Sequence, residues 1–172
     1  MEPSGRPPRL RFENATAEAA PALAALHSAV AQDLTARYGQ GHWSRRTSEK
    51  GALFALRTSL VRVAWREDRL CATYALTTKK PWAIDRTYFS ACTRPLYLVN
   101  MVVDPQRQRQ GIGRLCIEDA RRMAGTWPAD AIRLDAYDAE AGAVNFYAKA
   151  GLREVGRVSY KGTPLVYFEL LL

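Results

Sequence analysis

The sequence is poor in the residue types that build disulfide frameworks and metal centres. Of its 172 residues, only three are cysteine and two are histidine. The cysteines stand singly, at neither disulfide nor metal-ligand spacing, and neither His27 nor His42 has a ligand partner at such a spacing. We therefore expect reduced thiols in a cytoplasmic protein, no metal site, and histidines that are ordinary structural or surface residues.

Long apolar segments are also missing. The chain has no run of about 18 apolar residues, the length that a transmembrane helix needs, and Met1–Arg11 lacks the apolar segment of a secretory signal. This Pro/Arg-rich stretch predicts a loose N-terminal arm. Residues 12–172 are long enough to bury one ordinary core, so we expect a single domain there and no membrane partner.

Basic residues outnumber acidic ones, and the net charge of +8 attracts polyanions in general. They are dispersed along the chain, however, which is more typical of a solvated surface than of a nucleic-acid interface. Nucleic acid is therefore not the expected partner, although the charge leaves it open. The exception is a group of arginines beside the glycines of residues 107–114.

The order of helical and alternating patterns predicts an α/β fold with one mixed sheet flanked by helices. The predicted helices are at residues 17–38, 48–60, 112–123 and 141–150. The predicted strands are at residues 60–65, 70–77, 97–103, 131–137, 155–160 and 165–171. Residues 79–95 are a long loop, and loops of that length in a compact domain are usually functional or mobile.

The most informative stretch is Leu96–Met123, where a buried strand leads through a Gly-containing turn into a helix. A helix that begins there presents free backbone N–H groups and the positive end of its dipole, which together suit a phosphate or pyrophosphate. A dinucleotide-binding turn needs three spaced glycines, and only two are here. A nucleoside-triphosphate loop ends in Gly-Lys-Ser/Thr, which this turn lacks. The turn by itself is also compatible with a plain strand–helix connection that binds no phosphate.

Two blocks of the sequence together resemble the GNAT superfamily of acyl-CoA-dependent N-acyltransferases. Residues 108–113, QRQGIG, match the signature Gln/Arg-x-x-Gly-x-Gly/Ala, and residues 143–152, AVNFYAKAGL, match a second block, Ala-x-x-x-Tyr-x-Lys-x-Gly-Phe. The resemblance implies the GNAT fold, a mixed and mostly antiparallel sheet of six to seven strands flanked by about four helices.

The resemblance also implies where acetyl-CoA binds. Its pyrophosphate would be held by backbone N–H groups of the glycine turn: Gln108, Arg109, Gln110, Gly111, Ile112, Gly113 and Arg114. Its pantetheine arm would pair with the strand edge at Met101, Val102 and Val103. The thioester would enter where this strand splays from the strand of residues 131–137.

Tyr147 is the expected general acid, because the matching tyrosine of the family lies near the thioester sulfur and protonates the departing thiolate. The alternative is that its ring only packs in the core. Many relatives carry a Glu base on the strand before the glycine turn, where this chain has Asn100, an amide that cannot accept a proton at neutral pH. Asp135 on the next strand is a tentative base, and a chain of water molecules is an equal alternative.

The function that follows is transfer of an acetyl group from acetyl-CoA to a primary amine of a small molecule, by direct attack in a ternary complex. The acceptor stays open: a protein N-terminus, a lysine or an aminoacyl-tRNA are alternatives, as is a non-catalytic acyl-CoA-binding regulatory module. A longer acyl donor and a homodimer, common in the resembled family, also stay open. Four aromatic residues either wall the acceptor pocket or cover the core: Trp43, Trp82, Tyr88 and Phe89.

Overall fold

The computed structural model describes residues 9–172, in which seven strands form one sheet in the order β1-β2-β3-β4-β5-β7-β6. The strands are β1 (Arg11–Asn14), β2 (Leu60–Arg66), β3 (Arg69–Thr77), β4 (Pro95–Val103), β5 (Ala131–Tyr137), β6 (Arg153–Tyr160) and β7 (Thr163–Leu171). The α-helices are α1 (Ala20–Tyr38), α2 (Glu49–Thr58), α3 (Ile112–Thr126) and α4 (Val144–Lys149). All neighbouring strands are antiparallel except β4 and β5, which confirms the predicted mixed sheet.

The N-terminal strand was not predicted. Residues 1–8 of the predicted arm lie outside the described residues, but Arg11 already begins β1, which pairs with β2 up to Asn14 opposite Arg62. The Asn14 side-chain oxygen accepts a hydrogen bond from Arg62 at 2.8 Å. A strand of four mostly polar residues is too short to show an alternating apolar/polar pattern, so it is identified only by its pairing with β2.

Alternation along β5 separates the two faces of the sheet. Ile132 and Leu134 are buried beneath α3 and α4, in a cluster that includes Cys116 and Phe168. The intervening residues of β5 therefore point to the opposite face. There, α1 and α2 cover the β1–β4 half of the sheet, and the long β3–β4 connection covers the β5–β7 half.

The β3–β4 connection, residues 78–94, is fixed to the sheet by hydrogen bonds. The Tyr167 hydroxyl donates to the Ala83 carbonyl and accepts from the Asp85 N–H at 3.1 Å. The buried Glu169 carboxylate accepts from the Ser90 N–H at 3.1 Å. The segment is therefore an ordered cover of the sheet.

Strand β4 bends at a bulge that opens the sheet. Thr73 pairs with Val102 and Ala75 with Val99, so one residue of β3 stands opposite two of β4. One of these two is Asn100, whose φ of 54° lies in the left-handed region that asparagine tolerates.

Strands β4 and β5 pair only over their first three residues and then diverge. Only Pro95–Tyr97 pairs with β5, opposite Ala131–Arg133. Both strands continue, to Val103 and Tyr137, with no further β4–β5 ladder in the described chain. The result is a gap in the middle of the sheet, bordered by the free edge of β4.

Candidate active site

The N-terminus of α3, at the end of β4, presents free backbone N–H groups. Gly111 is the N-cap, with φ 80° and ψ 2°, a left-handed conformation that favours glycine. The first helical hydrogen bond joins the Leu115 N–H to the Gly111 carbonyl at 3.2 Å. Helix geometry leaves the preceding N–H groups, Gly111 to Arg114, without helical acceptors, at the positive end of the dipole.

Side chains around the turn hold it in shape. Gln108 donates from Nε2 to the Val103 carbonyl at 3.3 Å, and Gln110 accepts from Arg66 Nη1 at 3.2 Å. The Asp104 carboxylate accepts from the Gln106 N–H at 3.0 Å. Hydrogen bonds within the protein therefore hold the turn in this conformation.

Two predicted binding residues also connect α3 to α4. Arg114 donates from Nη2 to the Lys149 carbonyl at 3.1 Å, so its side chain is committed to the end of α4. At Gly113, an added Cβ would lie 2.9 Å from Cε2 of Phe146. This glycine therefore allows α3 and α4 to pack closely, a role that the sequence motif alone does not reveal.

Tyr147 of α4 is packed in the core with a free hydroxyl. It is 8% exposed, and its ring lies 5.2 Å from the Phe146 ring and 5.8 Å from the Phe168 ring. Among residues 9–172, no hydrogen bond to its hydroxyl is formed. Burial, aided by the charge of Asp135, raises its pKa, so the phenol keeps its proton at neutral pH.

Asp135 lies on the opposite face of the sheet from α3 and α4, at the point in β5 that faces Tyr167 of β7. Its side chain is half-buried, and burial raises the pKa of the carboxyl above its ordinary value, against a hydrogen bond from its own backbone. No basic side chain of the described part of the chain lies within ion-pair distance. A carboxylate in this setting accepts a proton more readily than an exposed aspartate does.

Three rings from distant parts of the chain meet at the end of β5. The His42 ring stacks on the Tyr137 ring with centroids 6.0 Å apart, and Trp43 meets the same ring edge-on at 6.2 Å. His42 Nε2 also lies 2.8 Å from the Thr163 hydroxyl, which joins the α1–α2 segment to the β6–β7 turn. No local signal predicts these contacts, because the partners are far apart in the sequence.

The other aromatic candidates lie elsewhere. Phe89 and Tyr88 pack on Tyr167, with ring centroids 5.3 and 5.5 Å away, as part of the cover over β7. Trp82 is 83% exposed. Of the four aromatic candidates, Trp43 is the one whose ring contacts the end of β5.

Comparisons with known proteins point to one family. The model of the acetyltransferase (GNAT) family matches residues 25–152. A sequence search found no match among curated proteins. None of the helices that the structure describes is long and apolar enough to cross a membrane.

Solved structures share the fold at low sequence identity. A ribosomal-protein-alanine N-acetyltransferase from Brucella melitensis has a TM-score of 0.73 at 17% identity, with 94% of this chain and 99% of that chain covered. The PaiA N-acetyltransferase from Thermoplasma acidophilum, solved with coenzyme A, has a TM-score of 0.73 at 14% identity, covering 95% and 99%. An N-acetyltransferase from Staphylococcus aureus Mu50 has a TM-score of 0.72 at 14% identity, covering 95% and 98%. At these identities, the likeness establishes the fold.

Proposed function

The chain belongs to the GNAT acetyltransferase family, and we propose that it transfers the acetyl group of acetyl-CoA to a primary amine of a small molecule. The observation that carries this proposal is one continuous arrangement. The free N–H groups at the start of α3 adjoin the open edge of β4, and the gap beside that edge separates Tyr147 on one face from Asp135 on the other.

On the donor side, the backbone N–H groups of residues 108–114 bind the pyrophosphate of acetyl-CoA. Along Met101, Val102 and Val103, the backbone groups that face the gap, apart from the Val103 carbonyl that Gln108 occupies, supply strand-like hydrogen bonds to the pantetheine arm, because β5 does not pair with this part of β4. The coenzyme A bound by the Thermoplasma acidophilum relative supports this assignment.

The chemistry assigns one proton transfer to each face. Asp135 takes a proton from the acceptor's ammonium group, and the free amine nitrogen attacks the thioester carbonyl carbon. A C–N bond forms, the C–S bond breaks, and Tyr147 gives its proton to the departing sulfur. The second proton lost by the nitrogen restores the tyrosine, and Asp135 returns its proton to solvent. Each turnover forms one amide, one thiol and one free proton.

A small acceptor is favoured by the contacts of His42, which forms a hydrogen bond with Thr163 and stacks on Tyr137, so that two loops meet beside the end of β5. A protein N-terminus is the second candidate, favoured by the likeness to two ribosomal-protein-alanine N-acetyltransferases.

The test is to incubate the purified protein with acetyl-CoA and a panel of amines, peptides and charged tRNA, and to follow free thiol and acetylated product together. Acetylation of small amines supports the proposal. Acetylation of peptides alone supports the second candidate. Tight acetyl-CoA binding without turnover on any acceptor would indicate a non-catalytic binding module.

A further inference from the structure

Asp135 differs from the two fully buried carboxylates of the described chain in having no cationic partner. Asp119 is bound by Arg62 at 2.9 Å and also by Arg122. Glu169 is bound by Arg153 at 3.1 Å and lies 3.5 Å from Arg133. A buried carboxylate is costly without a cation, so the protein supplies two arginines in each of those cases.

Aromatic rings, instead of cations, surround Asp135. Tyr137 is on the same face of β5, and Tyr167 is its partner in register on β7. The charge of Asp135 raises the pKa of both phenols. Tyr137 in turn contacts the ring of Trp43. A carboxylate among aromatic faces is suited to an organic ammonium ion, which the charge attracts and the rings contact.

The arginine that shares this face of β5 with Asp135 is already paired. Arg133 lies against Glu169 and over the Phe89 ring, with its guanidinium carbon 4.9 Å from the centroid. A carboxylate carried by the acceptor beside its amine would therefore meet the negative charge of Asp135, and Arg133, the arginine on the same face of this strand, is bound to Glu169.

Resting on the proposed function, we infer that the acceptor is a primary amine with an apolar, aromatic-type substituent and no carboxylate next to the amine. Its ammonium group binds to Asp135, and its substituent packs against Tyr137 and Trp43. Decarboxylated amino acids and arylalkylamines belong to this class, whereas free amino acids do not.

The experiment compares matched pairs that differ only in the carboxylate: 2-phenylethylamine with phenylalanine, and tyramine with tyrosine. Rates of thiol release at saturating acetyl-CoA give kcat/KM, and calorimetry measures binding of the same amines to the protein–CoA complex without turnover. We expect the amine of each pair to be preferred at least about tenfold in both measurements, which is about 1.4 kcal/mol. Phenylalaninamide, which lacks the negative charge, should recover most of the loss.

Variants test the assignment of each group. In Asp135→Asn, the ratio of the two affinities within each pair should be close to one, because the neutral amide neither attracts the ammonium nor repels the carboxylate. Trp43→Leu should raise KM for 2-phenylethylamine while leaving KM for acetyl-CoA unchanged. Trp82→Leu, at an exposed tryptophan outside the site, is the matched control and should change neither constant.

Equal or reversed preference within the pairs overturns the inference while leaving acetyl transfer intact. If the protein prefers the amino acids, and if His42→Gln abolishes that preference, the inference is also contradicted. His42 would then be identified as a partner of the acceptor's carboxylate. If no amine is acetylated, the proposed function fails, and the calorimetry then decides the binding preference on its own.

Discussion

Arg62 of β2 donates two hydrogen bonds to the Asp119 carboxylate of α3, from Nε at 2.9 Å and from Nη2 at 3.1 Å. Both side chains are almost completely buried, and the Tyr74 hydroxyl donates to the same carboxylate at 2.6 Å. The pair joins α3, whose N-terminus is the proposed pyrophosphate site, to β2 of the sheet.

Removal of this carboxylate should destabilise the whole domain. Asp119→Ala leaves the Arg62 guanidinium buried without a counter-charge, and we expect the free energy of unfolding in urea to fall by about 3–5 kcal/mol. Arg122→Ala removes the outer partner, which is 65% exposed, and should cost about 0–1 kcal/mol. Equal losses in the two variants would contradict a buried pair at this position.

The close contact between α3 and α4 should require a glycine at position 113. Gly113→Ala places a Cβ against the Phe146 ring, and we expect the free energy of unfolding to fall by about 1–3 kcal/mol. We also expect a lower kcat, because a shift of Phe146 would displace Tyr147, which follows it in the sequence. Gly125→Ala in the same helix meets nothing within 4 Å and should be neutral or stabilise by up to about 1 kcal/mol.

A second substitution identifies the contact responsible. Phe146→Leu shortens the side chain that opposes Gly113, so the double variant Gly113→Ala/Phe146→Leu should be destabilised by less than the sum of the two single variants. Strict additivity of the unfolding free energies would show that Gly113 acts through another contact.

Tyr147→Phe should separate chemistry from packing. The ring and its contacts with Phe146 and Phe168 remain, so the melting temperature should change little, whereas loss of the phenolic proton should lower kcat by about 10²-fold or more. KM for acetyl-CoA should be nearly unchanged. Tyr88→Phe, which alters a tyrosine on the far cover of β7, is the control. An unchanged kcat in Tyr147→Phe assigns that residue to packing alone.

Asp135→Asn should make the fold more stable and the enzyme less active at about pH 7. Burial raises the pKa of this carboxyl, so its charged form costs stability at any pH above its folded-state pKa. The neutral amide avoids that cost. The gain should shrink as the pH falls through the folded-state pKa, and it should vanish below the unfolded-state value of about 3.9, where both carboxyl groups are protonated.

The measurement is thermal unfolding of the two proteins from about pH 7 down to about pH 3, a range that spans the ordinary aspartate pKa. Each unit of pKa shift corresponds to about 1.4 kcal/mol of stability difference. A difference in stability that stays constant across this range would show that the carboxylate is not perturbed in the folded protein.

Local patterns predicted the strands, the turn and the helix that form the proposed donor side. Strand β5 was predicted at residues 131–137 and is observed there, and the Gly111 turn lies where β4 passes into α3, because alternation and turn chemistry are encoded by adjacent residues. Helix α4 was predicted to start at residue 141 but starts at Val144. The preceding turn needs Gly142, where a Cβ would lie 1.8 Å from the Tyr137 carbonyl oxygen.

Tertiary contacts account for what could not be predicted. The bulge at Asn100 is defined by the register of β3, and β1 by its pairing with β2. His42 reaches Tyr137 only through the fold, and the lack of a cation beside Asp135 depends on where every arginine is placed. The proposed acceptor side depends almost entirely on such contacts, so the sequence alone could not describe it.

Steady-state turnover of acetyl-CoA with 2-phenylethylamine is the most direct test of the central claim, with thiol release and the mass of the amine product recorded in the same reaction. We expect one N-acetylated amine for each thiol released, and a rate that falls by about 10²-fold or more in Tyr147→Phe. Tight binding of acetyl-CoA with no acetylated product from this or any other amine, peptide or charged tRNA would contradict it.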